Sequence, residues 1–287
     1  MANSIALSKN YVPMLDEVFK LASLTSVLDS DASLARAGAN ANEIMIPTLD
    51  MDGLGDYSRN SGYTMGDVTL TWQTVQFNYD RGRKFQVDTM DNEETAEIAF
   101  GKLAGEFIRT KVAPEADAFT FAKLAGATGV TKKQESLSNG QDALDALVVA
   151  TTAMDEAEVP AEQRILFITP TLKRQIEAVD SYKSQKVMEG MTVVAVPQTR
   201  FYTAIDLQDG KSLGQEAGGY KKASGGADIN FMLVHKPAVM KYNKHIASNI
   251  ITPDANQDAD AWMQKYRKYG LVDAFKNKVA GIYVSHK

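Results

Sequence analysis

The chain of 287 residues contains no cysteine, three histidines and two tryptophans. Without cysteine there is no disulfide framework, no thiolate metal site and no cysteine nucleophile. His235, His245 and His286 are scattered with no His-x-x-x-His spacing, and no Gly-x-Ser-x-Gly elbow offers a serine nucleophile. No apolar run approaches the roughly 20 residues of a spanning helix. The start, Met1-Ala2-Asn3-Ser4, lacks the basic and apolar regions of a signal peptide, so the expectation is a non-secreted protein made in the cytoplasm, with no membrane partner. Positive charge is also in short supply. A net charge of -5 argues against a protein devoted to wrapping nucleic acid, while leaving open contact of one face with DNA.

What is present is ordinary globular material, 44% hydrophobic and 23% charged, long enough for one large or two intertwined domains and without internal repeats. Leu15, Val18, Phe19 and Ala22 fall at helical spacing and predict a short amphipathic helix, closed by Asp29-Ser30-Asp31. The small, polar stretch through Ala35, Gly38 and Asn42 reads as an extended arm. Ile44 and Ile46 alternate, as do Val68, Leu70 and Trp72 before a phase shift to Val75, Phe77 and Tyr79, so two strands flank a polar loop from Pro47 to Asp67. An isolated hairpin is marginally stable in water. Its apolar face therefore needs cover from its own domain or from a neighbouring subunit.

Asp91 with Glu94 three residues on predicts a helix start, and Phe100, Leu103 and Phe107 share its apolar face. The helical composition continues to about Leu124, with a kink expected at Pro114. Beyond Gly126 and Gly129 the pattern is α/β. A helix from Asp142 precedes the strand Ile165-Leu166-Phe167-Ile168, Thr169-Pro170 opens another helix, and Val193 to Val196 is a strand. Asp209 to Gly226 reads as a hydrophilic mobile loop, followed by strands at Ile229 to Val234, Val239 to Tyr242 and within Trp262 to Val284.

Local candidates for chemistry are weak. Gly210-Lys211-Ser212 imitates the end of a phosphate-binding loop but has Ile205 where that loop needs glycine. Asp50, Asp52 and Asp56 lack the closing glutamate and the glycine position of a calcium loop, and Glu93, Glu94 and Glu97 suit the first turns of a helix. Glu115 and Asp117 after Pro114 read as a local helix-start pattern. Arg81, Arg83 and Lys84 are the densest basic cluster near the hairpin, either a solvated turn at Asp80-Arg81-Gly82 or a patch that pairs with an acidic neighbour. No catalytic, cofactor or metal site is expected.

Three segments carry a family resemblance: Asp80-Arg81-Gly82-Arg83-Lys84-Phe85-Gln86-Val87-Asp88 with Met90-Asp91 and Glu93-Glu94-Thr95; Val112-Ala113-Pro114-Glu115-Ala116-Asp117-Ala118-Phe119; and Tyr266-Arg267-Lys268-Tyr269-Gly270 through Asp273-Ala274-Phe275 and Gly281-Ile282-Tyr283. In this order, over nearly the whole chain, the sequence resembles the major capsid proteins of tailed bacteriophages with the Hong Kong 97 type fold. The resemblance implies an α+β protein with an N-arm (1–42), an E-loop hairpin (43–88), a P-domain with a long spine helix (89–139 and 252–287) and an A-domain (140–251). It implies a structural protein of the virion without enzymatic activity, assembled in the host cytoplasm. Its hexamers and pentamers would form an icosahedral capsid around a portal protein, enclosing double-stranded DNA.

The arm-like sequence starting near Met1 leads to the expectation of a separate scaffolding protein, or of none. The lysine-free stretch 47–67 leads to that of a shell without isopeptide cross-links, with a decoration protein as a compatible helper. Trp72, Phe77 and Phe85 are the expected hairpin anchors, and Arg81, Arg83 and Lys84 the expected polar contacts between subunits. The alternative with the same fold is an encapsulin-type nanocompartment shell. A more distant one is a cofactor-independent α/β enzyme within 140–251.

Overall fold

The computed structural model describes residues 23–30, 36–37, 42–94, 103–179 and 181–287. The helix expected at Leu15 to Ala22, most of the arm around Ala35 and Gly38, and Phe100 lie outside the described residues.

Alternating side chains build the hairpin from strands Glu43–Met51 and Val68–Gln76, with the short strand Arg36–Ala37 paired beside it. The first strand continues through Pro47 to Met51, so the connecting loop is shorter than the polar composition suggested. Among the described residues the outer edge of this strand is paired at Ile44 and Met45, opposite Ala37 and Arg36, and Pro47 lies beyond that pairing, where a missing donor is tolerated.

A second sheet of three antiparallel strands has the order Val239–Ile251, Ala261–Ala274, Tyr79–Asp88. Asp88 then starts the short helix Thr89–Glu94 by accepting the Met90 N–H at 3.0 Å, which corrects the expected N-cap at Asp91. The helical segment Leu103–Phe107 runs through a π-helical segment, Ile108–Val112, into Ala113–Gly126. The wide turn directly before Pro114 is where a helix can absorb a missing donor and a ring that crowds the preceding carbonyl.

The third sheet has five strands in the order Thr131–Gln134, Ile282–His286, Ile229–His235, Arg164–Ile168, Thr192–Ala195, with parallel pairing at the two edges. Its central strands are apolar on both faces because both are covered. Ile165, Phe167, Met232 and Val234 meet Phe121 and Leu124 of the Ala113–Gly126 helix, whereas Leu166, Ile168, Phe231 and Leu233 meet Leu144, Leu147 and Met154 of the helix Gly140–Glu156. That second helix begins two residues earlier than expected, since Asn139 accepts the Asp142 N–H at 2.9 Å. Sheet membership also differs from the ranges drawn on the sequence. Val239–Ile251, placed in 140–251, pairs with Ala261–Ala274, and Ile282–His286, placed with 252–287, lies inside the five-stranded sheet.

The stretch expected as a mobile loop is tied down. Tyr220–Lys222 pairs with Ile205–Leu207, and the turns between them are internally hydrogen-bonded.

Candidate assembly interface

The hairpin changes its apolar face partway along its length. At the root, Ile44 and Val75 are cross-strand partners and, with Ile46, pack on Met240, Tyr242 and Leu271 of the three-stranded sheet. Further out this same face becomes polar, with Thr48 opposite Thr71 and Asp50 opposite Thr69. The other face carries the pairs Pro47–Trp72, Leu49–Leu70 and Met51–Val68. Because side chains alternate along a strand, these six residues form one apolar ladder. Leu49, Met51, Val68, Leu70 and Trp72 are between 41% and 69% exposed, and at the tip Leu54 and Met65 are fully exposed. Burying such a side chain contributes about 1.5–3 kcal/mol. A patch of this kind on a soluble protein marks an interaction surface.

The basic cluster is not a solvated turn, and the acidic partner of Arg81 lies within the same chain. Arg81 and Arg83 sit within the strand Tyr79–Asp88, not in a turn. Arg81 donates through Nε to Glu115 at 2.7 Å and through Nη2 to the Gln208 and Gly219 carbonyls at 2.8 and 3.2 Å. It thereby joins the three-stranded sheet to the long helix that ends at Gly126, the spine helix of the fold, and to the Ile205–Lys222 hairpin. Tyr79 also donates to Glu115, at 3.2 Å, and burial followed by the adjacent carboxylate pushes its phenol above the ordinary range. Arg83 donates to the Glu216 carbonyl at 3.0 Å and lies between Gly210 and Gly218. Both glycines have positive φ, which favours glycine at these turns, and a Cβ at Gly210 would come within 2.8 Å of Arg83 Nη1 and push the end of that side chain aside.

The remaining expected anchors separate. Phe77 lies at the hairpin root, 4.8 Å from the Tyr269 ring and 4.9 Å from Lys244 Nζ. Phe85 packs edge-on to Phe107 at 4.7 Å, beneath the spine helix. Lys84 is exposed opposite Lys265. Of the six residues, Trp72 alone belongs to the exposed ladder.

Sequence reasoning missed the buried polar centre on the spine helix. Glu115 and Asp117 are not at a helix start; both point into the protein from a continuous helix. Asp117 is fully buried and accepts from Arg200 Nη1 at 3.0 Å, Ser23 Oγ at 2.8 Å, the Leu24 and Thr25 N–H groups at 2.9 and 3.1 Å, and Thr25 Oγ1 at 2.8 Å. Lys241 holds the same segment from the other side through the Thr25 carbonyl at 2.6 Å and Asp29 at 2.8 Å. Leu28, fully buried, fixes it in the core. The signal in the sequence was a carboxylate set among Ala113, Ala116, Ala118 and Phe119, where an unpaired charge is costly.

The motif-like segments hold no reactive arrangement. Asp209 accepts the Lys211 and Ser212 N–H groups, both at 2.8 Å, and the Ser212 hydroxyl; these bonds, the hydroxyl foremost, hold its carboxyl at about 2 and make Gly210-Lys211-Ser212 a self-satisfied turn. Asp52 accepts the Asp67 N–H at 2.9 Å and closes the hairpin tip. Among the described residues there is no cluster of three His, Asp or Glu side chains suited to a metal ion.

No protein-family model and no curated protein matches the chain. Solved structures do. A chain of the bacteriophage PhiM1 mature capsid is similar with a TM-score of 0.64 at 11% identity, over 97% of this chain and 91% of that one. A chain of the cyanophage P-SCSP1u capsid gives 0.63 at 12% identity, over 97% and 92%. A chain of the virus-like particle from Pyrococcus furiosus gives 0.51 at 12% identity, over 85% and 86%. The α+β chain thus has the Hong Kong 97 type capsid fold, as its sequence resemblance implied.

Proposed function

We propose that this protein is the major capsid protein of a tailed bacteriophage, a structural subunit that self-assembles through hexamers and pentamers into an icosahedral shell around double-stranded DNA. The observation that carries the reading is the exposed ladder Pro47–Trp72, Leu49–Leu70, Met51–Val68 on a chain with a capsid fold. One face of the hairpin is consumed within the subunit, and the other has the composition of an interface core. Laid on a neighbour, repeated around a closed shell, contacts of moderate individual strength become collectively strong. The portal protein, a scaffolding protein and a decoration protein are the partners this role brings, and the virion is its location.

In this reading the hairpin 43–76 is the E-loop, the helix ending at Gly126 the spine, and the five-stranded sheet the core of the A-domain. The second reading, an encapsulin-type shell around cargo protein, is favoured by the likeness to the Pyrococcus furiosus particle. Shells purified from the native source and treated with nuclease separate the two. Protected double-stranded DNA inside them is expected; particles empty of DNA and filled with one cargo protein would overturn the phage assignment.

A further inference from the structure

The strand Val239–Ile251 is one edge of the three-stranded sheet, with Ala261–Ala274 on its inner side. Ser30 takes the outer edge at Lys241, donating its N–H to that carbonyl at 3.0 Å and accepting the Lys241 N–H through Oγ at 3.1 Å. Beyond the bulge between Asn243 and His245, no strand pairs with the outer edge among the described residues. A strand edge carries a row of amide and carbonyl groups ready to pair with another chain, and soluble proteins blunt such edges with charge, proline or a bulge. Here the guards stand at the two ends, the bulge with Lys244 before and Pro253 after. Between them Ile246-Ala247-Ser248-Asn249-Ile250-Ile251-Thr252 carries no charge, and Ile246 and Ile250 are 55% and 56% exposed.

The occupant that suits this edge is the edge itself. Paired antiparallel about Ser248, two copies set Ile246 opposite Ile250 of the second copy and Ile250 opposite its Ile246. Residues 246, 248 and 250 share one face because side chains alternate along a strand, so the pair carries a continuous stripe that is apolar on either side of the two serines. The charges agree with this direction. Lys244 falls opposite Thr252 of the second copy, beside the segment that holds the exposed Asp254 and Asp258. Each basic end thus meets an acidic end, whereas a parallel pair would set lysine beside lysine.

We propose that the outer edge of 246–251 pairs with the same edge of a second copy as an antiparallel strand pair centred on Ser248, which fuses two three-stranded sheets into one. Such a contact is isologous and has its own two-fold axis. Neighbours within a ring of five or six are related by the ring axis instead, so this contact joins chains of adjacent rings. It rests on the assembly reading above and adds to it the joint between rings.

The absence of native cysteine permits a direct test. Ser248 is exposed, and directly opposite residues of an antiparallel pair lie about 4.5–5.5 Å apart at Cα, within disulfide reach. S248C shells are oxidised with copper–phenanthroline and run on a non-reducing denaturing gel, where covalent dimers are expected. A247C shells treated alike should stay monomeric, because Ala247 falls opposite Asn249 of the second copy. Intact S248C shells without dimers would overturn the pairing and leave assembly untouched; dimers as abundant from A247C would overturn it equally. Amide exchange of the unmodified protein gives a reading that needs no substitution. Amides within 246–251 should exchange about tenfold or more slowly in shells than in free subunits, and equal rates would overturn the proposal even if S248C does not close shells. Failure of the unmodified protein to form shells would remove the reading beneath it.

Discussion

Arg200 Nη1 donates to Asp117 Oδ2 across 3.0 Å, with the two side chains 3% and 0% exposed. This pair connects the spine helix with the Gln198–Arg200 turn, and Asp117 simultaneously receives the Ser23–Thr25 segment. A carboxylate so placed is stable only because five donors replace its water. Removing one member of a buried pair leaves the other charge uncompensated, at a cost on the order of 3–5 kcal/mol. Asp117→Ala should therefore lower the urea midpoint strongly and expose the chain near Ser23 to protease. An unchanged midpoint would show that the pair contributes nothing beyond what water supplies.

Arg81→Lys keeps the charge but loses the fork that reaches Glu115, Gln208 and Gly219 together. The expected loss is about 1–3 kcal/mol, with faster amide exchange concentrated in 205–222. Uniform exchange across the chain, or none above the parent, would contradict the joining role given to Arg81.

On the hairpin, Leu70→Asp and Trp72→Ala should suppress shell formation while leaving the subunit's unfolding midpoint nearly unaltered, since this face is not part of the subunit core. Ile46→Asp should do the reverse and unfold the hairpin root, because Ile46 is buried against Met240 and Leu271. Sedimentation paired with denaturant titration distinguishes the two classes; equal effects on stability would place the ladder inside the subunit.

His235 is held below its ordinary value, first by burial and then by Arg164 and Lys278. A depressed histidine means that the unfolded chain binds the proton more readily. Stability from keeping His235 neutral is thus complete above the unfolded value of about 6.5 and is lost as pH falls through the lower folded value. His235→Gln should flatten the stability profile just below pH 6.5 on that ground, read by urea titrations at several pH values. An identical slope in parent and variant would assign that limb to carboxylates.

The lysine-free stretch 47–67 leads to a shell without covalent joints at the hairpin. Boiled particles should run as one band near 31.3 kDa. Discrete ladders from unmodified particles would contradict that.

Much of the architecture was legible because its signals are local. Uninterrupted apolar runs at 165–168 and 231–234 required a sheet buried on both faces, and Thr169-Pro170 marked a helix start. The alternation at Val68, Leu70 and Trp72, followed by its phase shift at Val75, already contained the hairpin's change of face. Other features depend on partners remote in sequence. Asp117 meets Thr25 across 92 positions and Arg81 meets Gly219 across 138, so neither the buried centre nor the internal use of the basic cluster has a local periodicity. Pro114 looked like a kink or a helix start because the π-helical turn that absorbs it leaves no composition signal.

The central claim is that this chain closes into shells by covering its hairpin ladder. Negative-stain microscopy of the purified protein, alone and with the products of the neighbouring genes, tests it most directly. Closed shells or rings of five and six subunits are expected, and a protein that stays monomeric under every one of these conditions would contradict the account.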